Sequence, residues 1–149
     1  MRLVKWIFVG VFCAVFSVSC NDYEIATNIP YCKVYYEIYL MTTDKDLIGA
    51  YKSIPFDKPP LAKYFLGYGG LLLVDAGVEI KAFDLSCQVE AMRDVRVKPN
   101  DNGEAVCPKC GAKYNLFSGT CFSPSGVYPL QQYAVSCNSY TGVYYVTNR

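Results

Sequence analysis

The chain has 149 residues, 14 basic and 13 acidic side chains, and no histidine at all. A formal charge of +1 without a basic block offers no phosphate-binding surface, so nucleic acid is excluded as a partner. The missing imidazole excludes Ser-His-Asp and Cys-His catalysis and every histidine-ligated metal.

The N-terminus reads as an export signal. Arg2 and Lys5 precede Trp6 to Phe16, an apolar-or-small run of 11 residues, too short to span a bilayer as a helix. Ser17-Val18-Ser19 then leads to Cys20, which resembles the lipid-acceptor cysteine of a bacterial lipoprotein. Residues 1–20 are therefore expected to be a signal segment, with Cys20 lipidated and the protein anchored to a membrane of the cell envelope, on its periplasmic face or at the cell surface. Setting 1–20 aside leaves 12 basic against 13 acidic residues and six cysteines, at 32, 87, 107, 110, 121 and 137. An even count in an exported chain points first to disulfides.

Residues 21–30 are polar and read as a tether; residues 31–149 read as one domain. Tyr31 to Met41 alternates, with Val34, Tyr36, Ile38 and Leu40 on one face and Tyr35, Glu37 and Tyr39 on the other, which predicts a half-buried strand. Pro55, Pro59 and Pro60 break Thr42 to Lys63 into loop and short strand pieces. Leu71-Leu72-Leu73-Val74 predicts a buried strand, Asp75-Ala76-Gly77 a turn, and Val78 to Leu85 the return strand. Lys98 to Gly103 is a second turn, leading through Glu104-Ala105-Val106 to Cys107. Tyr133–Ser136 and Val143–Thr147 predict a closing hairpin around Asn138 to Gly142. No segment carries a sustained 3.6-residue period, so the chain is expected to be all-β.

The most specific stretch is Cys107-Pro108-Lys109-Cys110-Gly111-Ala112-Lys113-Tyr114-Asn115, continuing to Gly119. With Cys87 upstream and 17 residues from Glu90 to Val106, it resembles the two cluster loops of a Rieske iron–sulfur domain. In that family the first loop carries Cys-x-His and the second Cys-x-x-His, followed by Gly-x-x-aromatic-Asp-x-x-x-Gly. Pro129-Leu130 and Tyr133 resemble the stretch that enters the closing strands. The resemblance covers roughly residues 67–147. It implies a small antiparallel β sandwich or barrel with two cluster-type loops at one tip. Val89 stands at the first histidine position and Cys110 at the second.

Three fates for the loop cysteines follow. A disulfide from Cys87 to Cys107 or Cys110 would staple the loops and contribute about 3 kcal/mol. A Cys-ligated [2Fe-2S] cluster would draw on Cys87, Cys107 and Cys110, with Glu90 as an oxygen donor. A zinc site would use the same three thiolates, Cys107-Pro-Lys-Cys110 being half a zinc knuckle, with Glu90 or Cys121 as the fourth ligand. If first and last strands pair as in Rieske domains, Cys32 and Cys137 are candidates to be neighbours. No cofactor is the leading expectation, and the expected role is a non-catalytic envelope protein that meets a protein partner. The alternative is an electron-transfer or metal-binding protein with a redox partner. Fourteen tyrosines serve either as strand residues with buried rings or as a binding surface.

Overall fold

A computed structural model describes residues 26–149; Cys20, the 1–20 signal segment and the start of the tether lie outside the described residues. Eleven strands follow one another: β1 Val34–Ile38, β2 Ser53–Phe56, β3 Phe65–Leu66, β4 Leu71–Asp75, β5 Ile80–Asp84, β6 Lys98–Pro99, β7 Glu104–Val106, β8 Lys113–Asn115, β9 Cys121–Ser123, β10 Gln132–Asn138 and β11 Val143–Thr147. Among the described residues the one helical element is a single 3₁₀ turn, Lys45–Leu47, and no helix is long and apolar enough to cross a membrane. The chain is all-β, as its alternation and turn spacing imply.

Seven strands form one antiparallel sheet in the order β2-β4-β5-β10-β11-β1-β3, and four form a smaller one in the order β6-β7-β8-β9. The Leu71–Val74 run is an interior strand of the larger sheet, between β2 and β5, and buried on both faces, which is why it reads as continuous rather than alternating. Leu72 and Val74 point into a core shared with Phe83, Leu85, Cys87, Cys107, Tyr114 and Leu130. Leu71 and Leu73 point the other way, into a core with Tyr36, Ile38, Leu47, Tyr64 and Tyr133. Each leucine so buried contributes about 2 kcal/mol. One strand thus ties the cysteine-bearing half to the tyrosine-bearing half.

The expected faces of the first strand hold: Val34, Tyr36 and Ile38 are buried while Tyr35 and Glu37 are half-exposed. The strand itself is shorter than the alternating stretch, because the chain turns at Tyr39, whose carbonyl accepts from the N–H groups of Thr42 and Asp44. First and last strands do pair, Tyr36 opposite Val146 and Ile38 opposite Tyr144. That same register keeps Cys32 and Cys137 apart. The Cys32 carbonyl is held by the Asn148 side chain at one end of β11, whereas Cys137 faces Tyr144 near the other end. The expected neighbour relation between them is therefore corrected: antiparallel pairing brings β1 beside β11 but places these two cysteines several residues apart along it.

Strands β8 and β9, which periodicity alone does not reveal, explain the Tyr114–Gly119 pattern. The Asn115 side chain accepts from the N–H groups of Phe117 and Ser118 at 2.8 and 3.1 Å, and the Gly119 N–H returns to the Asn115 carbonyl at 2.8 Å. Gly119 sits at φ +74°, a left-handed position that glycine takes without a Cβ penalty. Gly119 then receives the N–H of Leu130, anchoring the entry to the closing strands.

Candidate metal centre

Two loops build the site. The first leaves β5 and is pinched shut by the N–H of Cys87 to the Val95 carbonyl at 3.0 Å and of Val97 to Leu85 at 2.8 Å. The second joins β7 to β8, closed by the Cys107 N–H to Ala112 at 2.8 Å. Within each loop the cysteine begins the same turn. The Cys87 carbonyl accepts from Ala91 at 2.8 Å, and the Cys107 carbonyl accepts from Gly111 at 3.0 Å. Both closing residues have positive φ, +49° at Ala91 and +74° at Gly111. The two turns are copies of one another, and the position four residues into each is Glu90 in the first and Cys110 in the second.

The turns bring three sulfurs together. Ligand atoms of Cys87, Cys107 and Cys110 all lie within 4.8 Å of one another, with Cys87 and Cys110 Sγ atoms 3.6 Å apart. With zinc–sulfur bonds of about 2.3 Å, a tetrahedral site spaces its sulfurs about 3.8 Å apart. A disulfide needs about 2.05 Å, and all six described cysteines are free. Cys87 and Cys107 are buried, whereas Cys110 reaches solvent.

Tyr114, buried on β8, organises the first loop from below. Its hydroxyl accepts the Gln88 N–H at 3.1 Å and lies 3.5 Å from Cys87 Sγ. Burial pushes the Cys87 thiol up, but bonds from Tyr114, the Glu90 N–H, Cys107 and the Val89 N–H outweigh it, leaving the thiol more acidic than usual. Cys110 goes the other way. Its sulfur lies against two others, and burial together with those neighbours pushes it up to about 12. Burial, then the bond to Cys87, raises Tyr114 as well.

Glu90 stands outside the sulfur group; its carboxylate pairs with Lys109 of the other loop at 2.5 Å. Val89 is exposed, as is Met92 three residues further along the same loop. Cys121 packs at the edge of the same core, its thiol directed to the carbonyls of Ser123 and Pro124 rather than to the three sulfurs. Sequence reasoning missed Gln88, fully buried behind Cys87. Its side-chain oxygen accepts from Thr27 Oγ1 and the Asn28 N–H at 3.0 and 2.9 Å, and its carbonyl accepts from the Asn28 side chain at 2.9 Å. The last residues of the expected tether are thus pinned to the cysteine loop. No local pattern in the sequence marks that contact.

The donor set does not fit a Rieske cluster. One iron of such a cluster takes two imidazoles, and the chain has none. Valine fills one of the two positions, and the three thiols crowd around a single point rather than dividing between two irons.

No family model and no curated protein matches the chain. Among solved structures it is similar to the ferredoxin of carbazole 1,9a-dioxygenase from Nocardioides aromaticivorans IC177, at 16% identity and TM-score 0.45, over 80% of this chain and 98% of that one. It is also similar to a putative NADH-dependent nitrite reductase small subunit from Mycobacterium tuberculosis, at 12% identity and TM-score 0.46, over 79% and 97%. A third likeness is to a chain in a complex of reduced oxygenase and oxidized ferredoxin in carbazole 1,9a-dioxygenase, at 16% identity and TM-score 0.42, over 66% and 91%. Likenesses this distant leave the chemistry of the site to the residues of this chain.

Proposed function

We propose that this protein is an exported, lipid-anchored β domain whose tip binds one soft divalent metal ion, of the zinc type, through Cys87, Cys107 and Cys110. The observation that carries this reading is the three-sulfur group within 4.8 Å, spaced like three corners of a thiolate tetrahedron. Glu90 occupies in its turn the place that Cys110 holds in the other, and it supplies the fourth ligand when it releases Lys109. Val89 and Met92 are exposed on the Cys87 loop, with Met92 Sδ 3.6 Å from Lys109 Nζ of the other loop, and offer apolar surface suited to meeting a protein partner in the envelope. The role is a metal-stapled interaction module, not histidine-tuned electron transfer and not catalysis.

One observation favours a second reading. The 3.6 Å between Cys87 and Cys110 is short enough for side-chain rotation to close a disulfide in an oxidising compartment.

Metal content and free thiols, measured on one sample of the full chain purified without chelator or reductant, separate the two. About one equivalent of zinc per chain, lost in Cys110→Ser, supports the metal site. Metal-free protein lacking two thiols, regained on reduction, overturns it in favour of the staple. Iron in place of zinc, with a brown or red colour, would return the protein to electron transfer. Lipidation is tested separately: Cys20→Ala is expected to release the protein from membranes, and unchanged membrane retention would remove the anchor from the reading.

A further inference from the structure

A second site lies in the tyrosine-bearing half. A cavity of about 560 Å³ opens beside β1, bounded by the chain that follows it, by β2 and by residues 60–64. Its walls are aromatic. The Tyr36 ring stands between Phe56 and Tyr64, with centroids 4.9 and 4.6 Å away, and Tyr39 lines the same space. The volume is that of a small-molecule site.

The charge in this cavity is unbalanced. Asp44 lines it and is only 2% exposed. Its carboxylate accepts from the Tyr36 hydroxyl at 3.0 Å, the Tyr39 N–H at 2.8 Å and the Thr43 hydroxyl at 3.0 Å, all neutral donors. The ion pairs among the described residues use Glu37, Glu79 and Glu90, so no cation stands against Asp44. Exposed Asp46 adds a second negative charge at the rim. The one basic residue lining the cavity, Lys63, is held by Glu37, which also accepts from Tyr35 and Tyr39 at 2.6 and 2.8 Å. A buried carboxylate lacking a cation, at the edge of an aromatic-walled space, is a complement to positive charge.

We propose that this cavity binds an organic ammonium ion, a primary or quaternary amine on a small apolar body. The ammonium lies towards Asp44 and Asp46, and the apolar body rests against Tyr36, Phe56 and Tyr64. The simpler role of Asp44, tying the turn after β1 through Tyr39 and Thr43, calls for neither an aromatic cavity beside it nor Asp46 at its mouth.

The test is calorimetric titration of the full chain with phenethylammonium and with trimethylphenylammonium, each against its uncharged isostere. Cation binding with a preference of about tenfold or more over the isostere is expected, as an ammonium held by a buried carboxylate requires. Asp44→Asn keeps an acceptor for Tyr39 and is expected to abolish that preference. Asp46→Asn, at an exposed position, is expected to weaken cations about threefold and leave isosteres unchanged. No cation binding, or equal binding of cation and isostere, overturns the proposal. So does an Asp46→Asn chain with unchanged cation affinity.

Discussion

The hydroxyl of Tyr133 on β10 donates to the Asp84 carboxylate on β5 at 2.7 Å, beneath the Gly67–Gly70 turn. Asp84 is fully buried and also accepts from the N–H groups of Tyr68, Gly69 and Ser86 at 2.7, 3.0 and 2.8 Å. It is the knot at which the glycine turn, the central sheet and the start of the first cysteine loop meet. Its proximity, after burial, pushes the Tyr133 hydroxyl well above the usual phenol range. Tyr133→Phe is expected to lower stability by about 2 kcal/mol, the loss of a bond to a buried charge. Asp84→Asn is expected to cost more, because its amide turns donors toward donors. Urea unfolding of both variants checks this, and Asp84→Asn milder than Tyr133→Phe would refute the order.

Tyr114→Phe removes the acceptor for the buried Gln88 N–H and the hydroxyl beside Cys87. A stability loss of about 1–3 kcal/mol is expected. Zinc affinity is expected to fall about tenfold or more, as for other groups that orient a ligand from behind. Competition with a chromophoric chelator reads the second effect. An unchanged affinity would detach Tyr114 from the proposed metal site.

Gly111 and Gly119 share a φ of +74° but not their surroundings. A Cβ at Gly111 meets nothing within 4 Å, whereas one at Gly119 would fall 2.7 Å from the Phe83 ring. Gly111→Ala should cost only the left-handed backbone penalty, about 1–2 kcal/mol. Gly119→Ala adds a collision with a fully buried ring and should cost at least about 1 kcal/mol more. Thermal unfolding of the pair checks it, equal losses being the contrary result.

Glu37 is held down to about 2 by hydrogen bonds from Lys63, Tyr35 and Tyr39, against an ordinary 4.5. A carboxylate more acidic in the folded state stabilises the fold above its unfolded pKa and loses that contribution as pH falls. The gap in melting temperature between the natural chain and Glu37→Gln should therefore be full above pH 4.5 and shrink toward pH 2. A gap constant across that range would show that the carboxylate charge stabilises nothing. Lys63 is half-exposed, so added salt should also narrow it.

Legibility differed by residue. Leu71–Val74 and Val143–Thr147 were readable because each is a short apolar or β-branched run bounded by turn residues, too short for a helix. Strands β8 and β9 were not, because three-residue strands carry too little periodicity and exist through pairing, β8 with β7 and β9 with β8. Cys87, Cys107 and Cys110 were legible as a group through their spacing, and the fold brings them together. Glu90 was named with them but is drawn toward Lys109, a choice made by charge across two loops. Cys32 and Cys137 were candidate neighbours, and strand register keeps them apart.

By itself the sequence determined that no imidazole is available, that the domain is built of strands, and where its main turns fall. Those are local matters of composition, alternation and backbone freedom. Only the tertiary structure decided that three sulfurs share one point, that Gln88 holds the chain at Thr27 and Asn28, and that Asp44 lines an aromatic cavity without a cation. Each of these depends on the packing of distant segments, Tyr114 under Cys87 or Tyr64 against Tyr36. The distance between two loops is a property of the core that separates them.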